Sequence, residues 1–377
     1  MAKILGIDIG YDSVKLALVS GKQVKKTAIA SMPKRLMREG RLASPEAMGE
    51  LLAQTMKKNG IHCSSAAVAF SNEAVFVRNV TMPVMAVEQL SLNLPYEFRD
   101  YITDELKNYI FDYAMLSDAA AAVAANTAKA EKKAEKPKKE KKTALEAFEA
   151  ESEKQTSVPE AVVEAGGSGS GSANMELLAV AAPVSLMEET RRMLRKAGMK
   201  LTKAAPAVCS YTGLIRSMDP ARKPASGEYC FLDLGYQSIR MYMFQGEKHI
   251  VTRVLESGLA AVDAAIADAY NVDEHLAHTY VVNNYEDCQS KDVCVNAFNN
   301  IAIELMRALN FYRFSNPEST LSDIWLCGGG AYISSLVAAI ESGLEGMKIH
   351  SSEELLPGGR LLSDSNALAQ AIGITQE

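Results

Sequence analysis

The sequence predicts an α/β protein built as two related halves around one shared ligand cleft. Two observations carry that prediction. A strand–Asp-x-Gly–strand hairpin occurs twice, and a later strand runs into three consecutive glycines before a helix. A third observation limits the setting. With 377 residues, 48% hydrophobic and 23% charged, this is an ordinary globular chain of two or three domains. It contains no apolar run of the ~18 residues needed to span a bilayer.

The repeat comes first. Residues 6–18 read GIDIGYDSVKLAL and residues 231–243 read FLDLGYQSIRMYM. Aligning Asp8 with Asp233 sets Gly10 on Gly235, Tyr11 on Tyr236, Ser13 on Ser238 and Lys15 on Arg240. Each copy is a short apolar strand, a tight turn and a second strand of alternating pattern. Glycine lets the turn backbone approach a ligand closely, and successive N–H groups there form a concave anion site suited to phosphate. Ser13 and Ser238 add hydroxyl donors, and Lys15 adds a positive charge. Asp8 and Asp233, at the strand ends, are placed to hold a hydrated magnesium ion, which keeps most of its waters and takes few carboxylates. A single copy would pass as an ordinary Asp-Gly hairpin. The matched pair points instead to two turns clamping phosphates from both sides.

The glycine run follows strand Ile324–Cys327 as Gly328, Gly329 and Gly330, and Ile333, Leu336, Val337 and Ile340 then recur at helical spacing. Such a turn opens backbone to a ligand at the top of a sheet. Alone it is weak, since glycines often serve close packing. Beside two phosphate-type hairpins it is where an adenosine is expected to lie.

Between the repeats, residues 119–174 change character, with lysines first (Lys129–Lys142), glutamates next and Gly/Ser last. So few aromatic and β-branched residues cannot bury enough surface to offset ordering, so a disordered insertion is expected, with a transient helix near Ala144–Glu153. It is flanked by NYIFDYAML and MELLAVAAP, which read as strands. That places it within a domain as an enlarged hairpin turn, tolerated because loop-closure entropy rises slowly with length.

The order of first hairpin, second hairpin and strand–Gly-Gly-Gly–helix resembles the phosphate-1, phosphate-2 and adenosine motifs of the actin/Hsp70/sugar-kinase superfamily. Within it, GIDIGYDSVKLALV, VRNVTMPVMAVEQLSLNLPYEFRDYI, RALNFYRF and LCGGGAYISSL resemble the PilM family of type IV pilus assembly. The resemblance spans the chain apart from the insertion. It implies an actin-like, ribonuclease H-like duplicated core, with residues 1–60 and 204–222 in the first half and 223–377 in the second. Residues 61–203 then form a small strand–helix–strand–strand–helix subdomain of the kind PilM shares with FtsA. The cofactors implied are ATP and magnesium, and the implied partner is the N-terminal cytoplasmic peptide of a PilN-like inner-membrane protein. In FtsA the equivalent subdomain mediates contacts between molecules, so self-association stays open.

The sequence departs from the family pattern at Tyr11 and Asp12, where small polar residues are usual. Asp12 would repel phosphate if turned inward, and it is expected to face solvent. Turnover of ATP needs a group to orient the attacking water. The connecting stretch KLTKAAPAVCSYTGLIRSM offers no Asp, Glu, Asn or Gln, so slow or absent hydrolysis is expected. The same lack, with the inserted subdomain, weighs against a small-molecule kinase. An FtsA-like polymer former would carry a terminal amphipathic helix, which AIGITQE does not supply. His275 and His278 are expected to be a surface pair, and Leu309, Phe311 and Tyr312 to pack on one helix.

The remaining composition fits this setting. A net charge of −6 argues against a surface that coats nucleic acid or anionic lipid. MAKILGIDIG places Asp8 in its first apolar stretch and shows no cleavage site of a signal peptide. The six cysteines form no CxxC pair and read as reduced thiols. A cytoplasmic protein is expected, held at the inner membrane face through a partner.

Overall fold

A computed structural model describes residues 2–33, 36–38, 41–71, 73–116, 174–356 and 364–376. The lysine-rich insertion and its expected transient helix lie almost wholly outside the described residues.

The chain opens with the meander β1 (Lys3–Ile9), β2 (Ser13–Ser20) and β3 (Gln23–Ser31), then helix α1 (Pro45–Lys58) and strand β4 (Ser65–Phe70). Ser44 caps α1, its hydroxyl accepting from the Ala47 amide at 3.2 Å, with Pro45 pre-set for the first turn. Next come β5 (Phe76–Pro83), α2 (Val87–Asn93), β6 (Tyr109–Met115), β7 (Asn174–Pro183) and α3 (Val184–Lys196), followed by β8 (Lys200–Pro206) and α4 (Ala207–Ser217). The second half runs β9 (Glu228–Leu234), β10 (Ile239–Gln245), β11 (Lys248–Leu255), α5 (Leu259–Tyr270), α6 (Glu274–Asn283) and α7 (Asp292–Ser315). It ends with β12 (Asp323–Cys327), α8 (Ser334–Gly343), β13 (Lys348–Ser351) and α9 (Ser365–Gly373).

The duplication predicted from sequence is complete at the level of sheets. Both are five-stranded, in the orders β8-β4-β1-β2-β3 and β13-β12-β9-β10-β11. In each, a three-strand antiparallel meander continues into two parallel strands. The register irregularity recurs too. It falls between Leu18 and Val19 in one half and between Met243 and Phe244 in the other, at the offset that aligns Asp8 with Asp233.

Each half ends in a helix, and the two helices meet at glycines. A Cβ on Gly213 of α4 would lie 2.3 Å from the Gly373 carbonyl oxygen, and one on Gly373 of α9 would lie 2.1 Å from that of Ser210. A Cβ on Gly6 of β1 would lie 1.7 Å from the Ala371 carbonyl oxygen. Thus α9, from the end of the second half, presses on the first sheet. Reciprocally, α4 turns Tyr211 onto Phe231 and Tyr242 of the second sheet, with centroids 4.7 and 4.6 Å apart.

The small unit is Asn72–Glu188, and the rest of the chain forms the other compact unit. This differs from the expected boundaries of 61–203, because β4 and β8 pair with each other and β4 with β1, which makes them core strands. Within the small unit the order β5-β7-β6 is antiparallel, and β6 pairs with β7 from Tyr109–Pro183 to Met115–Leu177, as the enlarged hairpin requires. Leu90, Leu94, Phe98, Met175 and Leu177 fill its core.

Three local expectations are corrected. The helix expected to carry Pro95 stops at Asn93 and gives way to a 3-10 turn, Leu94–Phe98, since proline has no amide to continue the ladder. Ser185 does not open α3, which begins at Val184 directly after β7, whereas Gly198 closes it as expected at φ +75°. On α7, Leu309 and Tyr312 are buried, but Phe311 is 54% exposed beneath the Arg253 guanidinium.

The helix crossing makes a direct prediction. Gly373→Ala should cost about 2 kcal/mol or more in urea unfolding, by forced overpacking. Gly329→Ala, whose Cβ meets nothing within 4 Å, should leave the midpoint nearly unchanged. Equal midpoints for both variants would contradict the crossing.

Candidate functional site

The two Asp-x-Gly turns share the strand register around their aspartates but differ at the glycine amide, which in the second turn donates to the Asp233 carbonyl at 3.1 Å. In the first, the Gly10 amide donates to the Ser13 carbonyl at 3.0 Å. Asp8 sits opposite Lys15 in the ladder, with Nζ 3.4 Å from Oδ2 and both side chains largely covered. In the second, Asp233 sits opposite Arg240, with Nη1 3.9 Å from Oδ2. A side chain at Gly235 would place its Cβ 2.6 Å from the Ser238 carbonyl oxygen, so this turn closes only on glycine.

The second turn is the more buried of the two. Ser238 is 7% exposed, and its Oγ has no hydrogen-bond partner among the described residues. Such a hydroxyl is costly to leave unpaired, which suits a ligand oxygen arriving there. Asp233 Oδ2 accepts from Gln370 Nε2 at 2.8 Å, and the same amide nitrogen donates to the Tyr211 hydroxyl at 3.2 Å. The crossing helices thereby hold the aspartate at the strand end. The Tyr211 hydroxyl is pushed well above its usual pKa, chiefly by burial and then by the Asp233 charge.

Of the three expected glycines, two pack against this strand end. Gly328 has φ +83°, and a Cβ there would lie 2.6 Å from Asp233 Oδ1. One on Gly330 would lie 2.8 Å from the Leu234 Cβ, while Gly329 faces open space. Instead of running straight into the helix, the glycines form a 3-10 turn, Gly329–Tyr332, before α8.

A cluster missed at the sequence level lies beside the turns. His278 is not one of a surface pair. Its Nδ1 is 2.8 Å from Oδ2 of Asp263, a carboxylate 1% exposed, and its Nε2 is 3.7 Å from Oδ1 of Asp12. Its ring meets that of Tyr236 edge-on at 5.7 Å. Asp12 therefore does not simply face solvent. His278 on α6 thus lies next to both turns, Asp12 belonging to the first and Tyr236 to the second. Gln370 was missed as well. Nothing in SNALAQAIG marks it, because its role comes from the helix crossing.

No curated protein sequence matches the chain. The family model for the type IV pilus assembly protein PilM matches residues 6–156 and 161–352. The chain belongs to the PilM family. Among solved structures, a chain of the PilM–PilN type IV pilus biogenesis complex superposes with a TM-score of 0.72 at 20% identity, over 98% of this chain and 97% of that one. The ethanolamine utilization protein EutJ from Carboxydothermus hydrogenoformans follows at 0.53 and 10% identity, over 99% and 89%. The diol dehydratase-reactivating factor in nucleotide-free form reaches 0.50 at 13% identity, over 99% of each chain. These likenesses and the duplicated sheets make the fold that of the actin-like ATPases, as expected of PilM. Among the described residues no helix is long and apolar enough to cross a membrane.

The His278 environment is measurable. The bond to Asp263 raises its pKa above 6.5, against desolvation, and the Asp263 and Asp12 charges add to the rise. The stability it contributes is therefore complete below the unfolded value and is lost as pH climbs through the folded one. Ring-proton NMR should show a midpoint above 6.5, and Asp263→Asn should lower it. A midpoint unmoved by that change would contradict the pairing.

Proposed function

We propose that this chain is an ATP-binding scaffold of type IV pilus machinery that recruits the N-terminal cytoplasmic peptide of a PilN-like inner-membrane protein. The observation that carries the nucleotide part is the pair of equivalent Asp-x-Gly turns, one of which ends in a buried serine hydroxyl without a partner among the described residues. Gly10, Ser13 and Lys15 cradle phosphate from one half, and Gly235 and Ser238 from the other. Asp8 and Asp233 hold magnesium through its waters, as a hard ion reluctant to dehydrate requires. Gly328, Gly329 and Gly330 border the adenosine, with Gly329 as the open approach. Family membership and the full-length likeness to a chain of the PilM–PilN complex support the partner. Such a partner would hold the chain at the inner face of the cytoplasmic membrane.

The scaffold is favoured over a kinase by α4, Ala207–Ser217, which carries no acid or amide to orient a nucleophile. Calorimetric titration of ATP with magnesium should show binding, and Asp8→Ala and Asp233→Ala should each weaken it about tenfold or more, a loss of ~1.4 kcal/mol. Unchanged affinity in both variants, with melting curves intact, would remove the cleft assignment. Turnover should be negligible. Rapid phosphate release, rising with a hydroxylated small molecule, would favour the kinase. A synthetic PilN-like N-terminal peptide should bind the purified chain in the same instrument, and its failure to bind would overturn the scaffold reading.

A further inference from the structure

We infer that His278 is a phosphate-contact residue of the cleft, anchored by Asp263 and engaged by Asp12 until a polyphosphate takes the place of that carboxylate. This rests on the nucleotide reading above. The two cations of the hairpins, Lys15 and Arg240, each lie against the aspartate of their own hairpin. His278 differs because its partners come from three separate elements. Asp263 on α5 fixes the ring through Nδ1 at 2.8 Å, the Tyr236 ring of the second turn abuts it edge-on, and Asp12 of the first turn faces Nε2. The ring edge thus lies between the two turns that would embrace the phosphates.

The two carboxylate distances separate the roles. At 2.8 Å Asp263 makes a hydrogen bond, and being buried it is part of the frame. At 3.7 Å Asp12 is beyond hydrogen-bond reach, and its side chain is 46% exposed, so it attracts the imidazole without seating on it. A phosphate oxygen can therefore displace Asp12 without dismantling the frame. The exchange also addresses the departure of Asp12 from the family pattern. A carboxylate beside a phosphate site repels the ligand, and an imidazolium within reach of both offsets that repulsion. With Nδ1–H donated to Asp263, Nε2 can donate to phosphate only when the ring is protonated. Binding should therefore tighten as pH falls. Other ionisable groups near this site are the Tyr236 hydroxyl, raised to about 12 mainly by burial, the Glu274 carboxylate, which acts on that hydroxyl, and the Cys294 thiol, raised to about 12 mainly by burial and also by the Asp263 charge. Among the described residues no group of three His, Cys, Asp or Glu side chains is arranged to hold a metal ion.

The test is calorimetric titration of the full chain with ATP and, separately, inorganic tripolyphosphate, between pH 6.0 and 8.5. Wild type, His278→Gln, Asp12→Asn and the double variant are compared. His278→Gln should weaken both ligands about tenfold at pH 6.0, the size of one charge-assisted hydrogen bond, and should flatten the pH dependence. Asp12→Asn, at an exposed position, should tighten binding several-fold, and by more with His278 present than without it. Wild-type affinity that does not rise as pH falls overturns the inference even if His278→Gln fails to fold. So does a His278→Gln variant that binds like wild type at every pH. Both results leave the nucleotide reading standing, whereas a wild-type chain that binds neither ligand sinks the two together.

Discussion

The close crossing of α4 and α9 is the constraint on which the rest depends. Backbone meets backbone at Gly213 and Gly373, and α9 reaches the first sheet at Gly6. No side chain fits at these points. The approach lets Gln370 on α9 reach both Asp233 on the second sheet and Tyr211 on α4. The aspartate at the strand end is therefore positioned by the junction of the halves as well as by its own hairpin. Any rotation of one half on the other must pass through this contact, which couples the site to the arrangement of the core.

The matched hairpins are alike in kind but not in burial. Ser13 and Lys15 sit on a turn whose Asp12 is half exposed, whereas Ser238 is enclosed and its hydroxyl has no partner among the described residues. The charges are also unequal, since the first turn carries Asp12 where the second carries Gln237, and the opposite half places an imidazole near that carboxylate.

The parts of this structure that were legible in the sequence are those written in local pattern. The Asp-x-Gly repeat made both hairpins and their mutual alignment legible, because those depend on residues a few positions apart, whereas the lean of Lys15 and Arg240 onto the aspartates of their own hairpins emerges only from the structure. The enlarged β6–β7 hairpin was likewise visible from its two flanking strands. Legibility failed where spacing in the chain says nothing of spacing in the fold. Residues 65–70 looked continuous with the small unit, yet β4 pairs with β1, a parallel contact that no local signal announces. His278 looked like a helix-surface residue because Asp263 and Asp12, which define it, lie far from it in sequence. Phe311 is expected to pack with Leu309 and Tyr312 on one helix, but the register of α7 turns it outward.

The exchange of end helices also bears on how the chain is made. The first sheet is complete in sequence once β8 emerges from the ribosome, but the surface around Gly6 is covered by α9, which comes much later in the chain. The amino-terminal half thus cannot finish folding as an independent unit while the remainder is still being translated. It must wait, with an apolar face open, for more than a hundred further residues. A chain of this design leaves that face uncovered for longer during synthesis than a protein of two self-contained domains would.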